Sequence, residues 1–129
     1  MAKILIVDDD PDILIVIRRL LETDGHEGVM AEDGMKALEL IKLDSFDLVI
    51  SDLRMPSMDG IALLREIRVR KPSLPVILVT AYASSETARE SVKLGASAYI
   101  FKPFKVKELQ DTVKRVLDGG SGPFRSASQ

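Results

Sequence analysis

At 129 residues, 46% hydrophobic and 29% charged, the chain has the length and composition of one globular domain, which excludes disorder throughout. With no cysteine there is no disulfide framework, thiolate metal site or cysteine nucleophile, which fits a reducing, cytoplasmic setting. A balance of 18 Lys+Arg against 20 Asp+Glu gives no overall electrostatic reason to bind nucleic acid. No apolar run approaches the roughly 20 residues that cross a membrane, and the start at Met1-Ala2-Lys3 reads as too short for a signal peptide.

Residues 4–7 form a continuous branched apolar run before Asp8-Asp9-Asp10, which predicts a strand buried on both faces. Asp10 followed by Pro11 is a helix N-cap and a first-turn proline. Ile13, Ile17, Leu20 and Leu21 then recur at helical spacing until Asp24-Gly25. His26, beside that turn, reads as solvent-exposed. A short strand near 28–31 and a helix over 34–43 follow, the helix with Met35, Leu38 and Ile41 on one face. Residues 48–50 predict a third strand ending at Ser51-Asp52, and Met55-Pro56 and Asp59-Gly60 punctuate the loop beyond it. A helix over 61–70 is apolar at Leu63, Leu64 and Ile67. Residues 75–79 predict a fourth strand ending at Thr80, 84–94 a helix stopped by Gly95, and 98–101 a fifth strand. A last helix over 105–117 carries Val106, Leu109, Val113 and Val116 three or four residues apart. The domain is expected to span 1–118, and the glycine- and serine-rich stretch 119–129 to be a flexible tail or linker.

Alternating strands and helices with apolar strands predict an α/β fold: a five-stranded parallel sheet with helices on both faces. In such sheets ligands bind beyond the carboxyl ends of the strands, where the strand order reverses. Four strand ends carry polar residues here: Asp8 and Asp9, Asp52, Thr80, and Lys102. In the flavodoxin-like order 2-1-3-4-5 the first and third strands are neighbours, so Asp8, Asp9 and Asp52 converge. Carboxylates that close repel unless one is protonated or a cation joins them. An all-oxygen donor set favours Mg²⁺. Lys102 offers a compact positive charge and Thr80 a hydroxyl for phosphoryl oxygens. The set suits phosphoryl transfer to an aspartate.

The segments Ile-Leu-Ile-Val-Asp-Asp-Asp at 4–10, Asp-Leu-Arg-Met-Pro-Ser-Met-Asp-Gly at 52–60, Val-Thr-Ala at 79–81 and Lys-Pro-Phe at 102–104 stand in order, each at its own strand end. Through them the chain resembles a response-regulator receiver domain, the phospho-acceptor of two-component signalling, over about residues 3–118. The resemblance implies that Asp52 is phosphorylated. It also implies that Asp9 and the backbone carbonyl of Arg54 ligate Mg²⁺, with Asp52, while Asp8 joins the acidic pocket through water. Thr80 and Lys102 would contact the phosphoryl group, and Lys102–Pro103 would be a cis peptide. Tyr99 would be an aromatic switch that turns inward when Thr80 moves, with output through the fourth helix, fifth strand and fifth helix. The implied partners are a sensor histidine kinase and a downstream protein target or linked effector domain, without membrane or direct nucleic-acid contact. A phosphorylation-dependent homodimer is compatible with it. The run Thr80-Ala81-Tyr82-Ala83 with Glu86-Thr87-Ala88 and Lys93-Leu94-Gly95-Ala96 further resembles receivers of nitrogen-regulator-type transcription activators.

Arg54 and Tyr82 depart from the polar residues commonest in that family, and their bulk is expected to slow hydrolysis of the phosphorylated state. Asp10 reads as a cap alone, Asp59 and Gly60 as turn residues, Met55 and Met58 as loop packing. Two other classes stay open on sequence. A haloacid-dehalogenase-type phosphohydrolase shares the Asp8-x-Asp10 spacing but lacks the following glycine and threonine. A flavin-binding flavodoxin would need a phosphate loop where Asp8, Asp9 and Asp10 stand.

Overall fold

A computed structural model describes residues 1–55, 58–81 and 84–120. The chain runs β1 (Lys3–Val7), α1 (Pro11–Thr23), β2 (Glu27–Ala31), α2 (Gly34–Leu43), β3 (Leu48–Ser51), α3 (Gly60–Arg70), β4 (Val76–Thr80), α4 (Ser85–Lys93), β5 (Ala98–Phe101), α5 (Val106–Leu117). The five strands are parallel, in the predicted order β2-β1-β3-β4-β5.

The strands read as unbroken apolar runs because both faces of the sheet are covered. Ile4, Ile6, Ile50 and Ile77 pack against Leu14 and Ile17 of α1 and Leu109 and Val113 of α5. Leu5, Val7, Val49 and Leu78 face the other way, against Ala37, Leu38 and Ile41 of α2 and Leu63, Leu64 and Ile67 of α3. Each of these large side chains stabilises the fold by about 1.5–3 kcal/mol relative to exposure. Among the described residues no helix is long and apolar enough to cross a membrane.

Asp10 caps its helix as predicted, and Asp33, Asp59 and Ser84, which the sequence reading did not name as caps, do the same. Asp10, Asp33, Asp59 and Ser84 each accept a backbone N–H of the first turn, at 2.9, 2.7, 2.8 and 3.0 Å. Gly25 and Gly95 end α1 and α4 at φ of 85° and 79°, a left-handed turn that glycine enters without a Cβ penalty.

Several expectations are corrected. Met35 is 55% exposed, since the inner stripe of α2 is Gly34, Ala37, Leu38 and Ile41. Val106 opens α5 on its solvent side, half exposed. His26 is half-buried rather than exposed: β1–β2 pairing brings the chain start alongside, and its Nδ1 accepts from Ala2 N at 3.1 Å. Gly119 and Gly120 close α5 by donating to the carbonyls of Val116 and Arg115 at 3.0 and 2.9 Å. The rest of the expected tail, 121–129, lies outside the described residues, as do Pro56, Ser57, Tyr82 and Ala83.

Candidate functional site

Val7 and Ser51 are partners in the β1–β3 register, so Asp8 and Asp52 leave the sheet side by side. Backbone bonds hold them there: Asp52 N donates to Val7 O at 2.9 Å and Asp8 N to Ala31 O at 3.2 Å. Asp8, Asp9 and Asp52 each offer a carboxylate oxygen within 4.8 Å of the other two, so the residues that converge in the expected strand order do meet. Asp8 and Asp52 are buried, at 3% and 7% exposure, while Asp9 stands in solvent. The cluster is therefore open on one side.

Lys102 reaches in from the end of β5. Its Nζ donates to Asp8 Oδ2 at 2.6 Å and to Asp52 Oδ2 at 3.3 Å. The remaining oxygens are tied to backbone: Asp8 Oδ1 accepts from Asp10 N at 2.9 Å, and Asp52 Oδ1 from Leu53 N at 2.7 Å. Both carboxylates are thus held in one orientation. Thr80 is fully buried at the end of β4, and its carbonyl accepts Lys102 N at 2.8 Å. The Lys102–Pro103 peptide is cis. Arg54 lies two residues beyond Asp52 with its side chain exposed.

Burial pushes the Asp8 carboxyl above its ordinary range; Lys102 opposes this without cancelling it, and the charge of Asp52 adds to the rise. For Lys102, burial works to lower the ammonium, but the hydrogen bond to Asp8 and the charges of Asp52 and Asp8 outweigh it, so Lys102 is held charged. Among the described residues Lys102 bridges Asp8 and Asp52, and Asp9 adds a third carboxylate beside them. A hard divalent cation fits this donor set, which is all oxygen and partly exposed.

None of the three acids lines either of two cavities of about 480 and 460 Å³. The first lies at the amino end of the sheet, around Phe46 and Pro75. The acids stand at the carboxyl edge of the sheet, Asp9 exposed and Asp8 and Asp52 buried beneath it.

Gly60 fixes the loop behind Asp52. A Cβ there would fall 2.2 Å from Asp52 O and 2.8 Å from Leu53 Cα, both backbone atoms that cannot swing aside. Gly60→Ala is therefore expected to cost about 3 kcal/mol, the upper part of the usual overpacking range. Urea unfolding measures this, and an unchanged midpoint would show that the loop yields freely.

Tyr99 is not part of the acidic cluster. It is fully buried in β5, its ring edge-on to Phe101 at 5.4 Å between centroids and its hydroxyl 3.1 Å from Thr87 Oγ1 in α4. The sequence named Thr87 only within a run resembling nitrogen-regulator-type receivers and gave it no role. The available signal was Thr87 and Ser91, four residues apart on a helix with few apolar residues.

Residues 4–114 match the family described as response regulator receiver domain. The transcriptional regulatory protein ZraR of Escherichia coli (strain K12) is 44% identical over 114 residues, covering 88% of this chain but 26% of ZraR. The chain thus spans about a quarter of the length of that relative. Sporulation initiation phosphotransferase F of Bacillus subtilis (strain 168) is 37% identical over 115 residues, covering 89% of this chain and 93% of its own. Among solved structures, the CheY-like receiver domain protein from Methanospirillum hungatei JF-1 superposes with a TM-score of 0.90 at 37% identity, over 92% of this chain and 95% of that one.

Proposed function

The chain belongs to the response regulator receiver domain family, and we propose that within it Asp52 takes up the phosphoryl group while Asp8, Asp9 and the Arg54 carbonyl hold Mg²⁺ beside it. The domain is a phosphoryl acceptor of two-component signalling. The observation that carries the site assignment is the meeting of Asp8, Asp9 and Asp52 within 4.8 Å, with Lys102 bridging two of them.

The donor in this reading is a phosphohistidine of a partner sensor kinase, since the chain's own His26 lies at the start of β2, at the other end of the sheet. The phosphorus–nitrogen bond of the donor breaks and a phosphorus–oxygen bond forms to the Asp52 carboxylate, while the donor imidazole leaves with the electron pair and picks up a proton. Bound Mg²⁺ would supply charge neutralisation between the acids and the phosphoryl oxygens. The Leu53 N–H holds Asp52 in orientation, Lys102 offsets charge on the transferred group, and the Thr80 hydroxyl donates to one of its oxygens. The only reactions the domain catalyses are its own phosphorylation and dephosphorylation.

Phosphorylation adds roughly −1.5 to −2 charge at this rim, which biases Thr80 and Tyr99 and, through them, the α4–β5–α5 face. That face meets either a separate target or a linked effector domain, and residues 1–118 are the unit that switches, in the cytoplasm.

Acetyl phosphate with Mg²⁺ is expected to add one phosphoryl group to the protein, and a chelator to prevent it. Mass mapping of the adduct to any residue other than Asp52 would overturn the assignment. Arg54 is proposed to shield the adduct from attacking water. Arg54→Ala should lose its phosphoryl group severalfold faster, in a decay followed after the donor is removed. An unchanged rate would leave Arg54 without that role. Tyr82, expected to act alike, lies outside the described residues.

A further inference from the structure

Ser51 ends β3, a strand whose other residues are Leu48, Val49 and Ile50, and it is buried as deeply as they are. A hydroxyl in such a place needs a partner. Its Oγ donates to the carbonyl of the next residue, Asp52 O, at 2.9 Å.

That carbonyl lies under Gly60, which is itself buried and so close that a Cβ on it would fall 2.2 Å from the oxygen. Among the described residues no other donor reaches Asp52 O. The oxygen belongs to the same peptide unit as the Leu53 N–H. A peptide unit is planar, so a bond that fixes its oxygen also fixes its N–H. The Leu53 N–H in turn donates to Asp52 Oδ1 at 2.7 Å. One rigid group therefore joins the Ser51 hydroxyl to the Asp52 carboxylate. The other bonds to Asp52 do different work. Asp52 N, donating to Val7 O at 2.9 Å, fixes the backbone at the strand end. Lys102 Nζ meets Oδ2 at 3.3 Å from the tip of a long side chain that sits closer to Asp8, at 2.6 Å.

We infer that Ser51 is a positioning residue for phosphoryl uptake. Its hydroxyl sets the plane of the 52–53 peptide, and that plane aims the Leu53 N–H that orients the accepting carboxylate. This rests on the reading of Asp52 as the acceptor. Without the hydroxyl a buried carbonyl is left with no donor, a state the peptide relieves by tilting. The tilt turns the Leu53 N–H away from Oδ1, and Asp52 spends less time in the orientation from which it attacks phosphorus.

The assigned ¹⁵N–¹H spectrum, taken with no phosphoryl donor present, tests the link. An amide proton held by a carboxylate in a short bond resonates downfield. Ser51→Ala, which changes little volume, should therefore move the Leu53 amide proton upfield, while the Val49 and Ile50 amides keep their positions and report an intact strand. At saturating Mg²⁺ the maximal rate of uptake from acetyl phosphate should fall about fivefold, the factor that one neutral hydrogen bond is worth. The half-saturating acetyl phosphate concentration should not change. Ser51→Thr keeps the hydroxyl and should keep both the Leu53 shift and the rate. A Leu53 amide unmoved in Ser51→Ala would overturn the inference. So would a moved amide with an unchanged rate, or a Ser51→Thr variant of wild-type stability that behaves as Ser51→Ala does. Wild-type protein that takes up no phosphoryl group would count against the Asp52 reading instead, and the donor-free amide shift would still judge Ser51.

Discussion

Asp52→Asn is expected to take up no phosphoryl group and, without divalent cation, to be more stable than wild type by about 1 kcal/mol, within the usual gain from relieving a strained functional site. The loss of uptake follows from chemistry, since an amide oxygen is a poor nucleophile toward phosphorus. The gain follows from crowding. Asp52 is 7% exposed, and its charge adds to the rise of the Asp8 carboxyl. Lys102 serves both acids, at 2.6 and 3.3 Å. Asparagine keeps an oxygen for the Leu53 N–H, now 2.7 Å from Asp52 Oδ1, and removes the like charge. Lys102 is then left to Asp8. Phosphoryl uptake from acetyl phosphate and cation-free urea unfolding measure the two effects. Uptake at the wild-type extent would refute Asp52 as the acceptor. A less stable variant would mean that Lys102 had already compensated both acids in full.

Such a site is legible in sequence because a parallel sheet sends every carboxyl end to one edge. Once residues 4–7 and 48–50 read as buried parallel strands, Asp8 and Asp52 had to emerge together. The register Val7↔Ser51 places them side by side. The cap at Asp10 was read for a local reason, since its bond spans two residues; those at Asp33, Asp59 and Ser84 span three and carry the same local signal, but were not read as caps.

What was misread depends on contacts distant in sequence. Met35 fits an apolar stripe with Leu38 and Ile41, but the inner face of α2 starts at Gly34, where a Cβ would lie 2.7 Å from Met58 O. The backbone at residue 58 comes so close that only glycine fits at 34, which rotates Met35 toward solvent. His26 looked like a turn residue until β1 and β2 paired and brought Ala2 to it. The spacing of Thr87 and Ser91 marks a polar helix face but not what it meets, because Tyr99 sits twelve residues away on another element. Lys102 was read as a ligand for phosphoryl oxygens, and the structure adds that it is also the counter-ion of Asp8.

That second role makes Lys102→Met the other large effect. Methionine matches the aliphatic stem of lysine and deletes the charge. Asp8, 3% exposed, would then face Asp9 and Asp52 without the Lys102 charge. Removing one partner of a buried ion pair costs about 3–5 kcal/mol. The lower figure, about 3 kcal/mol, is expected here because burial already raises the Asp8 carboxyl from its ordinary 3.8, so the acid can escape by taking a proton. The sign of the pH dependence follows. A carboxyl whose folded-state pKa is raised destabilises the fold when ionised, so the deficit of the variant grows as pH rises through that raised value. It shrinks on acidification and vanishes below 3.8, where Asp8 is protonated folded or unfolded. Mg²⁺ should recover more stability in the variant than in wild type, because a cation among the three acids replaces the missing charge. It should not recover the rate of phosphoryl uptake, expected to fall by about 10²–10³, the usual loss on deleting one group that stabilises developing charge. Urea unfolding with and without Mg²⁺ at two pH values, beside acetyl phosphate kinetics, separates the roles. A variant as stable as wild type without cation would show that Asp8 gains nothing from Lys102, whatever the kinetics.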